Sequence, residues 1–211
     1  MGGAQRTVAM GSPGADPWEL LAPDASRRLL QAAADAFAER GYHATTTRDI
    51  AGRVGLSPAG VYIHFPSKAA LLAQISRSGH EAALQLVEDN LAAQPDPVAR
   101  VRAVVAAFAA WHAEFHRVAR VVQHELPALP EADRAYVVDL RQQIERRVEE
   151  QLRAGVAAGV MEVSDTRGVT RALLSLAVDV ARWYVPGGRA TPRSIGELYA
   201  DLAARMIGAR Q

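Results

Sequence analysis

Apolar positions recur at three- and four-residue spacing through most of the chain, the period of helices with one buried face. Leu29, Leu30, Ala33, Ala36 and Phe37 predict a helix over 24–40, opened by Asp24 and stopped by Gly41. Ile50, Ala51 and Val54 mark a short helix. Leu71, Leu72, Ile75, Leu84 and Val87 mark a long one over 67–92, which Pro95 and Pro97 end. Val101, Val104, Val105, Phe108, Trp111 and Phe115 predict a helix over 97–118. A brief helix follows, then a loop bounded by Pro127 and Pro130. Val137, Leu140, Ile144, Val148 and Leu152 carry a helix over 131–158, with Gly155 and Gly159 weakening its end. Two more stripes close the chain: Val169, Leu173, Leu176 and Val180 over 165–185, then Ile195, Leu198, Leu202 and Met206 after Thr191 and Pro192. Strand-period alternation is not found outside the proline loops, so the expected fold class is all-α.

The junctions over 45–68 carry the strongest local chemistry. Thr46 or Thr47 can cap a helix start by accepting a backbone N–H that the helix leaves unpaired. Gly55 ends that helix, since glycine takes the left-handed conformation without a Cβ clash, and Leu56 is expected to pack under the turn. Ser57 caps the next helix, with Pro58 at its first position, where a missing N–H costs nothing. Pro66 forces the chain out near Phe65, and Ser67 caps again. Two short helices at a glycine turn describe a helix-turn-helix, whose second helix enters the DNA major groove. Arg40, Arg48, Arg53 and Lys68 face a single acid there, Asp49. Lys68 is the only lysine of the chain. It sits at a helix N-terminus, where a cation opposes the macrodipole and a phosphate would be bound by ammonium and backbone together. Arg48 is the best candidate base reader, because a guanidinium bonds guanine O6 and N7 at once. Ala59 and Gly60 keep the second helix thin, whereas Ile50, Val61 and Phe65 belong to the head's core.

The stretch F-A-E-R-G-Y-H-A-T-T-T-R-D-I-A-x-x-V-G-L-S-x-x-x-V-Y-x-H-F-P-S-K-x-x-L-L resembles the DNA-binding domain of the TetR family of bacterial transcriptional repressors. It departs from the commonest pattern at Ile63, where many members carry His or Tyr, and at Ala70, where many carry Glu. The resemblance implies a three-helix helix-turn-helix head over 24–68, joined to a helical effector-binding and dimerisation domain over 69–211. It places Arg48 and the segment with Ser57, Pro58, Ala59 and Gly60 toward the groove. Thr46, Thr47, Tyr62, His64 and Lys68 become phosphate or groove-edge candidates. The implied partner is double-stranded DNA, read as a palindrome by a homodimer.

Composition changes this picture little. The 211 residues are 49% hydrophobic and 22% charged, enough for a substantial core, and the net charge is only +1. A nucleic-acid signal must therefore be local. There are no cysteines, hence no disulfide or thiolate metal site, which fits a cytoplasmic protein. No apolar run approaches the ~20 residues that span a bilayer, so no membrane partner is expected. Residues 1–23 are rich in Gly, Ala and Pro and read as a disordered arm, in which Arg6 is a further DNA candidate.

The last two helices read as an oligomer interface. Leu173, Leu176, Val180, Ile195, Leu198 and Leu202 could pair with their copies in a four-helix bundle, the usual TetR dimer contact, or could cover only the subunit's own core. A small-molecule site is expected among Trp111, Phe115, His124, Asp179, Arg182 and Trp183, with an apolar body and few polar groups. The segment A-R-W-Y-V-P-G-G resembles a TetR branch of actinobacterial repressors of fatty-acid and steroid breakdown that sense acyl-CoA thioesters. That resemblance implies an anionic effector group at Arg182 and an apolar part against Trp183, unless Arg182 pairs with Asp179 instead. Neither cofactor nor metal is expected. His112 and His116 share a helical face, but Glu114 does not complete the metalloprotease order H-E-x-x-H. Neither G-x-S-x-G nor a phosphate loop occurs, which leaves an enzyme as a weak alternative beside a helical adaptor protein. The adaptor would not need the basic, doubly capped turn between Arg48 and Lys68.

Overall fold

The computed structural model describes residues 16–18 and 24–209. Within them the chain is helical, with no strand: α1 Asp24–Arg40, α2 Thr47–Arg53, α3 Pro58–His64, α4 Lys68–Ala92, α5 Pro97–Glu114, α6 His116–His124, a 3-10 turn at Leu126–Ala128, α7 Glu131–Ala157, α8 Thr166–Trp183 and α9 Pro192–Met206. The polar caps set the starts. Thr46, Ser57, Ser67, Asp96, Asp165 and Thr191 each accept a first-turn N–H, and Pro58, Pro97 and Pro192 sit at the next position. Gly41 and Gly55 hold φ of 82° and 71°, the left-handed geometry that turns α1 into α2 and α2 into α3.

The helix expected over 97–118 ends earlier, and the brief helix expected after it starts at His116. The chain breaks at Phe115, whose φ and ψ of −99° and 34° end α5 and start α6 without any side-chain cap. The break swings α6 across α1, α4 and α8, and Arg120 Nε fastens it to the Ala181 carbonyl on α8 at 2.8 Å. Leu56, expected under the turn, is 39% exposed instead.

One apolar core joins the head to the body. Leu29, Leu30, Phe37, Ile50 and Val61 of α1–α3 pack with Leu71, Leu72 and Ile75 of α4, Val118, Val121 and Val122 of α6, and Val137 of α7. A second core, around Val87, Val104, Phe108, Trp111, Val148 and Val180, fills the body. A third, with Val101, Leu152, Leu173 and Ile207, closes its far end. The arm expected over 1–23, Arg6 included, lies mostly outside the described residues. Asp16–Trp18 do not: Trp18 is buried on the head core and donates Nε1–H to Gln31 Oε1 at 2.8 Å.

Helices α5 and α9 make the most extensive pairing. Gly196 permits it, because a Cβ there would lie 2.6 Å from the Ala106 carbonyl oxygen.

Candidate functional site

In the head, a reciprocal capping box fixes α2. Thr46 Oγ1 accepts the Asp49 N–H at 3.2 Å, while Asp49 Oδ2 accepts the Thr46 N–H at 2.8 Å and its hydroxyl at 2.6 Å. These bonds, the hydroxyl's first, hold the Asp49 carboxyl below its usual range. Arg40 pairs with Asp49 at 3.4 Å, and Arg53 pairs with Glu39. Arg48 is exposed and has no ion pair among the described residues. Thr47 Oγ1 lies 3.4 Å from Tyr62 Oη, joining α2 to the outer side of α3. On α3 the cap residue Ser57, with Pro58 and Ala59, is exposed, and Gly60 gives its N–H to Ser57 Oγ at 3.1 Å. His64 is half-buried, with Nδ1 at 3.4 Å from Ser26 Oγ on α1.

Lys68 is placed differently from expectation. Its ammonium turns back into the head and donates to the Tyr42 and Thr45 carbonyls, both at 2.8 Å, with Nζ 4.3 Å from the Tyr42 ring centre. The acceptors it satisfies lie in the α1–α2 turn. Lys68 therefore clamps the start of α4 to the helix-turn-helix. The same turn is held from the other side, where Glu125, just past α6, accepts the Tyr42 N–H at 3.0 Å.

The body holds a cavity of about 360 Å³, within the range of small-molecule sites. Phe108, Trp111, Ile144 and Leu174 give it apolar walls, and His80, His112 and Arg141 give it polar ones. Both histidines are buried, and each has Nδ1 on the carbonyl one turn back: His80 on Ser76 at 2.7 Å, His112 on Phe108 at 2.8 Å. A carbonyl can only accept, so each Nδ1 carries the proton and each Nε2 is an acceptor. His80 Nε2 takes the Arg141 Nε–H at 2.9 Å. Burial pushes both imidazoles down to about 4, so both are neutral at pH 7. Arg141 also gives Nη2 to the Val122 carbonyl at 2.9 Å and to Gln123 Oε1 at 3.2 Å. One guanidinium thus ties α4, α6 and α7 together at the cavity wall. Arg171, 3.9 Å from Glu145, borders the cavity as well.

Of the residues expected around an effector, Trp111 and Asp179 border this cavity. Phe115 sits at the junction of the first two cores, and His124 is exposed at the end of α6. Arg182 lies on the exposed side of α8, bonded by Nε and Nη2 to the two Asp179 oxygens at 2.7 and 2.9 Å, and Trp183 is 42% exposed beside it. His112, on the same helix as Trp111, lines it too. His80 and Arg141 were missed, and their signal was a polar side chain interrupting an apolar stretch: His80 after Gly79, Arg141 between Leu140 and Ile144. His116 turns its Nδ1 to the Ala113 carbonyl at 3.0 Å, and no group of three metal-ligating side chains occurs among the described residues.

The dimer stripe divides in two. Leu173, Val180 and Ile195 are buried in their own subunit's cores, because α8 and α9 each turn that side to α5. Leu176, Leu198 and Leu202 face outward, together with Trp183, Val185 and Met206.

A capped helix-turn-helix wired into a helical body defines a DNA-binding transcriptional regulator rather than an enzyme. The bacterial regulatory protein, tetR family, model matches residues 29–75, and the tetracyclin repressor-like C-terminal domain model matches 94–207. The chain belongs to the TetR family. It is 32% identical over 190 residues to the HTH-type transcriptional repressor KstR2 of Mycolicibacterium smegmatis, covering 85% of this chain and 92% of that one. Among solved structures, a regulatory protein of the tetR family from Rhodococcus RHA1 superposes with a TM-score of 0.82 at 35% identity, covering 90% of this chain and all of that one. AibR, solved with isovaleryl coenzyme A and operator DNA, superposes at 0.77 over 88% of this chain and 99% of its own; at 23% identity that likeness carries the fold alone. No helix of the described residues is long and apolar enough to cross a membrane.

Proposed function

We propose that the chain is a cytoplasmic repressor that binds a palindromic operator in double-stranded DNA as a homodimer. It leaves the operator when a small effector of acyl-CoA type, with an apolar body and an anionic end, fills the cavity. Two α3 helices related by a two-fold axis would enter successive major grooves about 34 Å apart, or a multiple of that. Arg48 reads a base edge. Thr46, Thr47, Ser57, Pro58, Ala59, Gly60, Tyr62 and His64 form the surface that meets the groove and its phosphates, and Lys68 positions that surface from behind. The exposed faces of α8 and α9, with Leu176, Leu198 and Leu202, pair the subunits.

The observation that carries the effector reading is the Arg141 hub. This cation lines the cavity beside its apolar walls and bonds α4 through His80 and α6 through Val122 and Gln123. An anion that draws the guanidinium inward competes with those bonds. α4 begins at the Lys68 clamp and α6 ends at the Glu125–Tyr42 bond, so both helices that Arg141 releases lead to the α1–α2 turn. A coupling of ~1–3 kcal/mol would change operator affinity about 5- to 150-fold. Arg141, rather than the Asp179-bound Arg182, is the receiver of the anionic end.

The test is a titration of palmitoyl-CoA and a steroid acyl-CoA into a complex of the full chain with an operator selected from random duplex DNA, followed by fluorescence anisotropy. Release by either, weakened in Arg141→Met and unchanged in Arg182→Ala, is the expected result. If neither thioester releases DNA at micromolar concentration, the effector class is wrong. Equal responses of Arg141→Met and the parent would displace Arg141 from its role.

A further inference from the structure

The outer face of α3 carries no charge. Its sequence is P-A-G-V-Y-I-H, and Val61 is turned inward with no exposed surface. His64 is half-buried beside Ser26, and the Tyr62 hydroxyl lies beside Thr47. The outermost side chain is Ile63, at 83% exposure the most exposed large apolar residue among those described. Ala59, also exposed, stands four residues earlier on the same helical face. A helix that reads bases usually presents Arg, Lys, Asn or Gln to their donor and acceptor edges. This one presents a branched alkyl group and a methyl. The apolar feature of the major groove is the thymine C5-methyl group, which alkyl side chains contact.

We propose that Ile63 is a specificity-determining residue that packs on a thymine C5-methyl in each half-site. Specificity is then split between two chemistries: Arg48 on α2 bonds a base edge, and Ile63 on α3 selects T·A over C·G by apolar contact. The inference rests on the reading that α3 enters the major groove. It adds that this chain's operator is chosen at one position by a methyl group.

Replacing thymine by deoxyuridine removes that methyl and leaves base pairing intact, so it isolates the contact. An operator is first selected from a random duplex library with the full-length protein. Each thymine is then exchanged for deoxyuridine, symmetrically in both half-sites, and binding is measured by competition. One position should weaken about fourfold per half-site, the fold-change that burying one methyl group gives, hence about 16-fold for the pair. Ile63→Ala should bind the parent operator more weakly and lose the deoxyuridine effect at that position, while the other thymines respond as before. Its thermal melting should match the parent's, because the side chain is in water. The proposal is overturned if no deoxyuridine penalty depends on Ile63, or if Ile63→Ala binds the selected operator as tightly as the parent. A selection that enriches no sequence overturns the groove reading itself, and this inference with it.

Discussion

Acid should unfold this protein through two buried imidazoles. His80 and His112 each commit the Nδ1 proton to a carbonyl one turn back, so a second proton must go to Nε2. At His80 that atom already accepts from Arg141, and protonation would set two donors face to face. At His112 it would place a charge between Phe108 and Trp111, whose rings meet the imidazole tilted and edge-on. Burial depresses both to about 4, from the 6.5 of a solvated imidazole. A folded-state value below the unfolded one means that the unfolded chain takes up protons first as pH falls. Stability is whole above pH 7, declines from about 6.5 toward 4, and loses nothing further from these groups below that. Between pH 7 and 5 each ring costs about 2 kcal/mol, so the pair removes about 4 kcal/mol of a stability that is typically 5–15. Partly buried His116 adds in the same direction, whereas exposed Glu39, Asp49 and Asp179, all shifted down, titrate at lower pH. Urea unfolding followed by circular dichroism at pH 7 and 5, at one protein concentration, measures the loss. The double variant His80→Gln/His112→Gln should lose far less stability over the same interval, and either single variant about half. Equal losses in the parent and the double variant would refute the reasoning.

Lys68→Met removes a charged clamp and should lower stability by about 2–3 kcal/mol, seen as a lower melting temperature. Its operator affinity should fall while the salt dependence keeps its slope; a slope smaller by about one would mean that the ammonium contacts phosphate after all. Gly196→Ala drives a methyl into the Ala106 carbonyl of α5 and should cost about 1–3 kcal/mol by overpacking, measured by urea unfolding. Leu198→Glu with Leu202→Glu charges the outward face of α9 and should give folded monomers in sedimentation that no longer bind operator. An intact dimer would place the interface elsewhere.

The head was legible because its instructions are local. Thr46, Ser57 and Ser67 cap within three residues of themselves, and Gly41 and Gly55 turn the chain where only glycine is at ease. The position of the break, at Phe115 rather than near Val118, was not legible, since no proline, glycine or cap marks it; α6 takes its direction from what it packs on. Lys68 read as a phosphate ligand because a helix start advertises anion binding, while the two carbonyls it satisfies come from residues 42 and 45. Leu173 and Leu176 share one stripe in the sequence, yet one is 1% and the other 45% exposed. A stripe says which side of a helix is apolar and not how much of that side its own subunit covers. The cavity's polar wall is assembled from several helices, so no single stretch spells it out; Arg182 was singled out by the A-R-W-Y-V-P-G-G segment, and its partner is Asp179, one turn away on the same helix.

Val122 has two neighbourhoods at once. It lines the cavity, and it belongs to the core that Leu29, Leu30, Phe37 and Ile50 build beneath the reading surface. One side chain thus belongs both to the cavity wall and to the apolar core shared with the head. A transplant of residues 24–68 alone onto another family member's body would set those head residues against unmatched partners for Leu71, Ile75, Val118 and Val122. An exchange that keeps the response must carry the first turns of α4 and all of α6 with the head, so the portable unit of this regulator is discontinuous in sequence.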